Sequence, residues 1–347
     1  MLELWYVIAA AMLVAYVVLD GYDFGAGIVH LWVARNNQER RQVLAAIGPY
    51  WDGNEVWLLA AGGALFVAFP RVLSAGISGF YFAIFLVLWS LILRGIAIEF
   101  RSHVSDTMWR ATWDFLFAAA SVLLALFFGV ALGNLVRGVP LNDAGWFSLP
   151  LFTNFSPRGE AGILDWYTVG AGLLAVMALA AHGAAFLIWR TGGAVQQRAR
   201  LAARRLSFAA EVLWLLMFLA THSLNDVLTV MGQRPLGILG VAIAIAGIVA
   251  IHRGLARQSE LTPFLGSTAF LGGTLMATAA CLFPVMIKSI SNPALSITVH
   301  TGGGDEAGLR TALVWFAVGF PLVIGYFVLN FRLHRGKAVA AADGEGY

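Results

Sequence analysis

The sequence predicts an all-α integral membrane protein of nine transmembrane helices, with the N-terminus outside and the C-terminus in the cytoplasm. Three observations lead there. Apolar runs of about 20 residues, the length that crosses a bilayer, recur along most of the 347 residues. Only 12% of the residues are charged and 60% are hydrophobic, whereas a soluble domain carries roughly 25% charged residues. Lysines and arginines also gather in alternate loops, the pattern that orients membrane helices.

Taken in order, the first span covers about 4–29. Its stretch "LWYVIAAAMLVAYVVL" follows no basic region and ends in no small-residue cleavage site, so it reads as a retained helix and not a leader. Trp5 and Tyr6 suit the outer interface. The second span, 53–70, follows Pro49 and has Asp52 and Glu55 in its first turns, where carboxylates complement a helix N-terminus. The third, 77–98, holds Arg94. The fourth, 113–136, ends in "FGVALGNLVRGVP", small residues suited to helix packing with Asn134 and Arg137 at the boundary.

Spans 163–189, 207–229, 235–252, 264–287 and 311–331 complete the set. Short gaps separate the second span from the third and the sixth from the seventh. Spans well over 20 residues are expected to tilt or to project beyond the bilayer. The whole reads as one polytopic domain, 1–333, with a short cytoplasmic tail, 334–347, whose last dozen residues "GKAVAAADGEGY" look disordered. No internal repeat or low-complexity segment is visible.

Orientation follows from the basic residues. With the N-terminus outside, the inner segments hold Arg35, Arg40, Arg41, Arg101, Arg110, Arg190, Arg198, Arg200, Arg204, Arg205, Arg253, Arg257, Arg332, Arg335 and Lys337. The outer segments hold only Arg71, Arg137, Arg158, Arg234, Lys288 and Arg310. The net charge of +3 is therefore a topology signal, and no nucleic-acid partner is expected. The single cysteine, Cys281, lies in an apolar run and excludes a disulfide framework or a thiolate metal site.

The informative residues are charges inside the spans. Tyr16, Asp20, Asp23, Gly27 and His30 recur at steps of three and four and form one stripe on the first helix. Gly21, Gly25 and Gly27 beside it permit close approach of a neighbour. At 1.5 Å per residue, Asp20 and Asp23 lie roughly 22–27 Å below Trp5, in the cytoplasmic half. Arg94 lies roughly 25 Å from the outer face by the same count. Three consecutive spans thus bring Asp20, Asp23, Asp52, Glu55 and Arg94 to one depth.

Intramembrane ionisable groups are rare and usually face a wet interior, a partner charge or a cofactor. Four acids against one arginine leave carboxylates without a cation. An excess carboxylate in poorly solvated surroundings binds protons more tightly than one in water, which suits a group that passes protons. Asp20 and Glu55 read equally as capping or pairing groups. Glu99, Arg101 and Asp106 fit ordinary helix-end charges. His182 and His222 are lone histidines on apolar faces, which core packing explains more simply than haem ligation. Glu211 and Asp226 read as helix-end groups, with a second polar site as the alternative. No histidine pair has metal-ligand spacing, so no metal site is expected in this chain.

Four segments, "LDGYDFGAG" (19–27), "GPYWDGNEVWLLAAGGALFVAFP" (48–70), "LILRGIAIEFR" (91–101) and "FGVALGNLVRGVPL" (128–141), resemble subunit II of the cytochrome bd-type quinol oxidases, including their cyanide-insensitive branch. The order, spacing and nine-span count agree with that family. The resemblance is strongest over about 1–190. It implies a terminal oxidase of the bacterial cytoplasmic membrane that oxidises quinol and reduces dioxygen to water. It also implies a haem-bearing subunit I as partner in a heterodimer, supplying the ligands of two b-type haems and one d-type haem.

On that resemblance this chain has no catalytic residue of its own and is able to hold a structural quinone. Residues matching Asp23, Asp52 and Arg94 line a cytoplasmic hydrophilic path toward the haems, with Asp20 and Glu55 beside them. Arg94 then pairs with an acid or neutralises a haem propionate, and Trp51 and Asn54 belong to the same signature. Membrane lipid is a further contact, and the resemblance leaves room for small single-span accessory subunits. Two other classes remain open. A proton-coupled transporter also uses intramembrane acids but predicts broken helices or repeat symmetry near the midplane. A purely structural subunit would use its charges only to hold helices together.

Overall fold

In the computed structural model, residues 1–157 and 159–340 are described. Arg158, counted above among the outer basic residues, and the tail residues 341–347 fall outside them. The chain forms helices α1 (Leu2–Val33), α2 (Asn37–Ile47), α3 (Trp51–Ala68), α4 (Pro70–Gly79), α5 (Tyr81–Phe100) and α6 (Thr107–Arg137). After a loop come α7 (Trp166–Arg190), α8 (Gly193–Asn225), α9 (Val227–Gly232), α10 (Pro235–Ala256), α11 (Thr262–Leu282) and α12 (Glu306–Leu333). Strands β1 (Val285–Ile287) and β2 (Ile297–Thr298) pair antiparallel between α11 and α12.

Among the described residues, eight helices are long and apolar enough to cross a membrane, or nine if the bent pair α3–α4 is one span. The higher count matches the nine spans expected. Boundaries shift where hydropathy and helix part company. α8 begins 14 residues before the expected 207, because "GAVQQRARLAARRL" is polar yet helix-forming and projects past the apolar zone. It stops at Asp226, which takes a left-handed backbone conformation (φ 46°) and starts the short α9. The span expected over 264–287 overruns α11, which ends before Pro284, and Val285–Ile287 becomes a strand.

The expected gap after residue 70 is itself helical: α4 opens on Pro70 and turns by 119° from α3. That break lies roughly 27 Å along α3 from Trp51 and so at the far end of the span from the acids, not near the midplane. The tail is also tied down further than its composition suggests. Lys337 Nζ donates to the Trp189 carbonyl at 2.8 Å, and Ala338 N donates to the Arg190 carbonyl at 2.6 Å. These last carbonyls of α7 lack intrahelical partners, so a cation there satisfies them.

α1 is the central element, packed against α3, α6, α7 and α11. Its approach to α7 depends on Gly25 facing Gly183: a Cβ at either would run into the other's backbone. This is the small-residue packing that the glycines of α1 imply. Contacts of basic side chains with helix ends gather along one edge of the molecule. Arg198 Nε donates to the Val33 carbonyl at 2.7 Å, and Arg200 Nη1 to the Ser259 carbonyl at 3.1 Å. The C-terminal ends of α1, α7 and α10 and the N-terminal end of α8 therefore share that edge.

Candidate functional site

Arg94 is fully buried and reaches from α5 toward α1 and α3. Its Nη1 donates to Asp20 Oδ1 at 2.7 Å, and its Nη2 donates to Glu55 Oε1. The guanidinium lies 4.5 Å from the centre of the Phe24 ring, one turn along α1 from Asp20. One cation thus bridges acids from two other helices. Removing a single partner from such a buried pair strands a charge and costs about 3–5 kcal/mol.

Asp23 stands beside this bridge and is not part of it. Also fully buried, it accepts at Oδ2 from Asn54 Nδ2 at 2.7 Å. The same amide donates to Tyr22 Oη at 2.8 Å and to the Leu19 carbonyl at 3.2 Å. Asn54, placed in sequence with the charge-pairing residues, therefore serves Asp23. Trp51 packs against α5, where a Cβ on Gly95 would lie 3.4 Å from its ring. Its position fixes the start of α3 one residue past Arg94.

The acids form a gradient of exposure. Asp20 and Asp23 are sealed, Glu55 is about one-third exposed, and Asp52 is exposed one turn before it on α3. Glu99 at the end of α5 is exposed as well. The expectation that all five charges meet at one depth thus resolves into three bonded groups, Asp23 adjoining them, and Asp52 on the outer surface of α3. Inside, Asp20 Oδ2, Asp23 Oδ1 and Asn54 Oδ1 have no hydrogen-bond partner among the described residues. Buried oxygens in that state call for water or for a proton.

A second buried cluster escaped the sequence reading. Asp114, 1% exposed near the start of α6, accepts from Arg101 Nε at 2.6 Å and Arg40 Nη1 at 2.8 Å. It also pairs with His30 Nε2 at 2.7 Å, which ends the α1 stripe. Arg101 is 2% exposed and reaches Asn37 at 3.0 Å, so it is not the helix-end charge that its position suggests. Asp106 does take that role, capping α6 by accepting from Trp109 N at 2.8 Å. The one signal for Asp114 was an aspartate inside the apolar run "WDFLFAAA".

The remaining candidates disperse. His182 has both ring nitrogens engaged, by Ser267 Oγ at 2.7 Å and the Val18 carbonyl at 2.9 Å, and stacks on Phe264. His222 lies 3.5 Å from Asp226, whose place at the end of α8 agrees with a helix-end role. Glu211 pairs with His252 at 2.9 Å and does not join Asp226 in a second polar site. Arg137 and Asn134 are buried, and Arg137 pairs with Asp165, the capping residue of α7. Among the described residues, no three His, Cys, Asp or Glu side chains are grouped to hold a metal ion.

Fold and site together define a polytopic helical membrane protein with an acid–arginine bridge inside its helix bundle. Residues 1–334 match the family model described as cytochrome bd terminal oxidase subunit II, and the chain belongs to that family. It is 30% identical to cytochrome bd-I ubiquinol oxidase subunit 2 of Escherichia coli K12, over 93% of this chain and 91% of that one. It is 29% identical to cytochrome bd ubiquinol oxidase subunit 2 of Bacillus subtilis 168, over 96% of both. Against a probable cytochrome oxidase subunit 2 of Haemophilus influenzae it is 28% identical, covering 96% of this chain and 94% of the relative.

The bd oxidase structure from Geobacillus thermodenitrificans shares the fold, with a TM-score of 0.75 at 19% identity, covering 96% of this chain and 98% of that chain. As a family member, the chain is one subunit of a haem-containing terminal oxidase complex, with a subunit I as partner.

Proposed function

We propose that this chain supports a haem-bearing subunit I in a bacterial cytoplasmic membrane and lines a proton route to it from the cytoplasm. The complex oxidises quinol and reduces dioxygen to water, a reaction that consumes protons. Uptake from the cytoplasm, with release from quinol outside, charges the membrane. The observation behind the route is the graded exposure from Asp52 through Glu55 to the buried Asp20–Arg94 pair and Asp23. Asp52 and Glu55 take up protons at the surface. Asp23, held by a neutral amide and without an ion pair among the described residues, passes them on. Arg94 keeps Asp20 and Glu55 in place and leaves the route able to hold water.

The same acids support a position for the partner. Glu55, one-third exposed, opens on the α3–α5 face, between Asp52 and Glu99 at the cytoplasmic helix ends, and a route toward the haems of a partner is shortest if the partner adjoins that face. Subunit I therefore docks there and supplies the ligands for the two b-type haems and the d-type haem. His182, with both ring nitrogens bonded, does not fit a haem ligand, and no step is assigned to haem within this chain.

A quinone has a separate place. A cavity of about 300 Å³ between α6, α7, α8 and α11 is lined by Tyr167, Trp214, Phe218, Thr274 and Cys281, with Lys288 among its polar residues. An apolar, aromatic cavity with a few polar side chains fits a quinone ring held for structural reasons.

The test is Asp23→Asn and Asp52→Asn in the purified complex. Slowed quinol-driven oxygen uptake is expected, with the reduced-minus-oxidised haem spectrum retained. Parental turnover in both variants would remove the proton route, and a complex without haem bands or quinol-dependent oxygen uptake would remove the oxidase reading altogether.

A further inference from the structure

α10 carries a second feature that the oxidase reading does not use. Along one of its faces, Ala246, Val249 and Ala250 form the apolar floor of a surface groove of about 400 Å³. The same face continues, at helical spacing, into Arg253 and Arg257, and the groove ends against Thr262 at the start of α11. Both arginines are exposed and stand one turn apart. Like charges so placed repel each other.

Neither arginine has an acid partner among the described residues, because the nearby acids are taken. Glu260 on the same turn pairs with Lys337 at 2.8 Å and accepts from Gln196 at 2.8 Å. Glu211 of α8 pairs with His252. The helix dipole accounts for a cation at this terminus, but not for an apolar strip leading into two unpaired guanidiniums. Their position is the edge where the molecule's basic side chains gather. α10 packs chiefly against α11, with α8 and α9 beside it, whereas the acid face is formed by α3 and α5.

We propose that this groove binds one anionic phospholipid, with its phosphate between Arg253 and Arg257 and an acyl chain along Ala246, Val249 and Ala250. Paired guanidiniums match phosphate oxygens in charge and geometry. The floor supplies what a free anion would not need, and the cations supply what a neutral lipid would not need. The site secures the α10–α11 turn to the membrane surface and is independent of proton transfer.

Native mass spectrometry of the intact complex, delipidated and then offered defined lipids, tests the site. Phosphatidylglycerol is expected to remain bound where phosphatidylcholine does not, and Arg253→Gln with Arg257→Gln weakens retention about 20–30-fold. Ala250→Phe keeps both charges and fills the floor, and it too is expected to release the lipid. Equal retention of the two lipids, unchanged retention in the double variant, or displacement of phosphatidylglycerol by inorganic phosphate alone overturns the proposal. Lipid retention is read without turnover, so the result stands whether or not the proton route does.

Discussion

Arg94 joins two acids on different helices, and its removal has consequences at both. Arg94→Gln leaves Asp20 sealed and unpaired, a loss of about 3–5 kcal/mol for a buried ion pair broken on one side. The expected outcome is poor assembly of the complex, or altered high-spin haem signals where it assembles. Adding Asp20→Asn to the variant removes the stranded charge and should recover much of the assembly yield, read by size-exclusion chromatography and haem content. Full assembly and an unchanged spectrum in the single variant would show that the bridge is dispensable.

Much of this site was legible because a charge with apolar neighbours on both sides has few innocent explanations. Asp23 and Arg94 announce themselves that way; Asp52 reads alike in sequence yet lies exposed at the start of α3, while Asp20, open to a capping or pairing role, is sealed against Arg94. Asp114 and Arg101 did not, because both sit at the margins of hydropathy spans, where charges are normal. Their pairing crosses a turn that the pattern of apolar residues does not define. The split between Asp23 and the Arg94 bridge was likewise invisible, since depth along a helix says nothing about which neighbouring amide lies closer.

At the scale of elements, α2 is the least apolar helix: its second half buries Val43, Leu44, Ala46 and Ile47 in the core, while polar bonds hold its start. Asn36 caps it, accepting from Glu39 N at 2.9 Å, and Glu39 pairs with Arg198 of α8 at 2.5 Å. That hydrogen bond to Arg198, helped by the Arg35 and Asn36 backbone N–H groups, holds the Glu39 carboxyl below its ordinary value of 4.5. A carboxyl lowered by folding stabilises the native state above its ordinary value. The contribution disappears as pH falls through the lowered one.

Glu39→Gln is therefore expected to cost up to about 1 kcal/mol near neutral pH, as for other partly exposed pairs. The gap between the two melting temperatures should close as pH drops from about 5 toward 3. Differential scanning fluorimetry of the complex across that range measures it, and a gap that stays constant would assign the effect to packing. Hydropathy located α2 only as a basic loop, since its 11 residues never enter an apolar window. The same blindness placed the start of α8 too late: helical propensity continues where hydrophobicity stops.

For the whole molecule, the central question is which side faces the partner. In a lone chain nearly every membrane-facing surface is apolar, so exposed leucines and phenylalanines do not discriminate. Exposed acids do. Asp52, Glu55 and Glu99 occur together on the α3–α5 side, while α8 presents apolar residues such as Phe208 outward along its middle. Leu59, 75% exposed on α3, and Trp89, 61% exposed on α5, flank the acids on the first face. If subunit I covers that face, a benzophenone side chain at position 59 or 89 abstracts hydrogen from protein on irradiation. The same group at position 208 finds lipid. Cross-linked subunit I should therefore appear from positions 59 and 89 and not from 208, by immunoblot after denaturing electrophoresis. Adducts from 208 alone would move the interface to α8 and turn the acid face toward lipid. A route ending at Asp20 and Asp23 would then open beside lipid with no haem subunit to receive its protons, so this one measurement tests the interface and the proton route that depends on it.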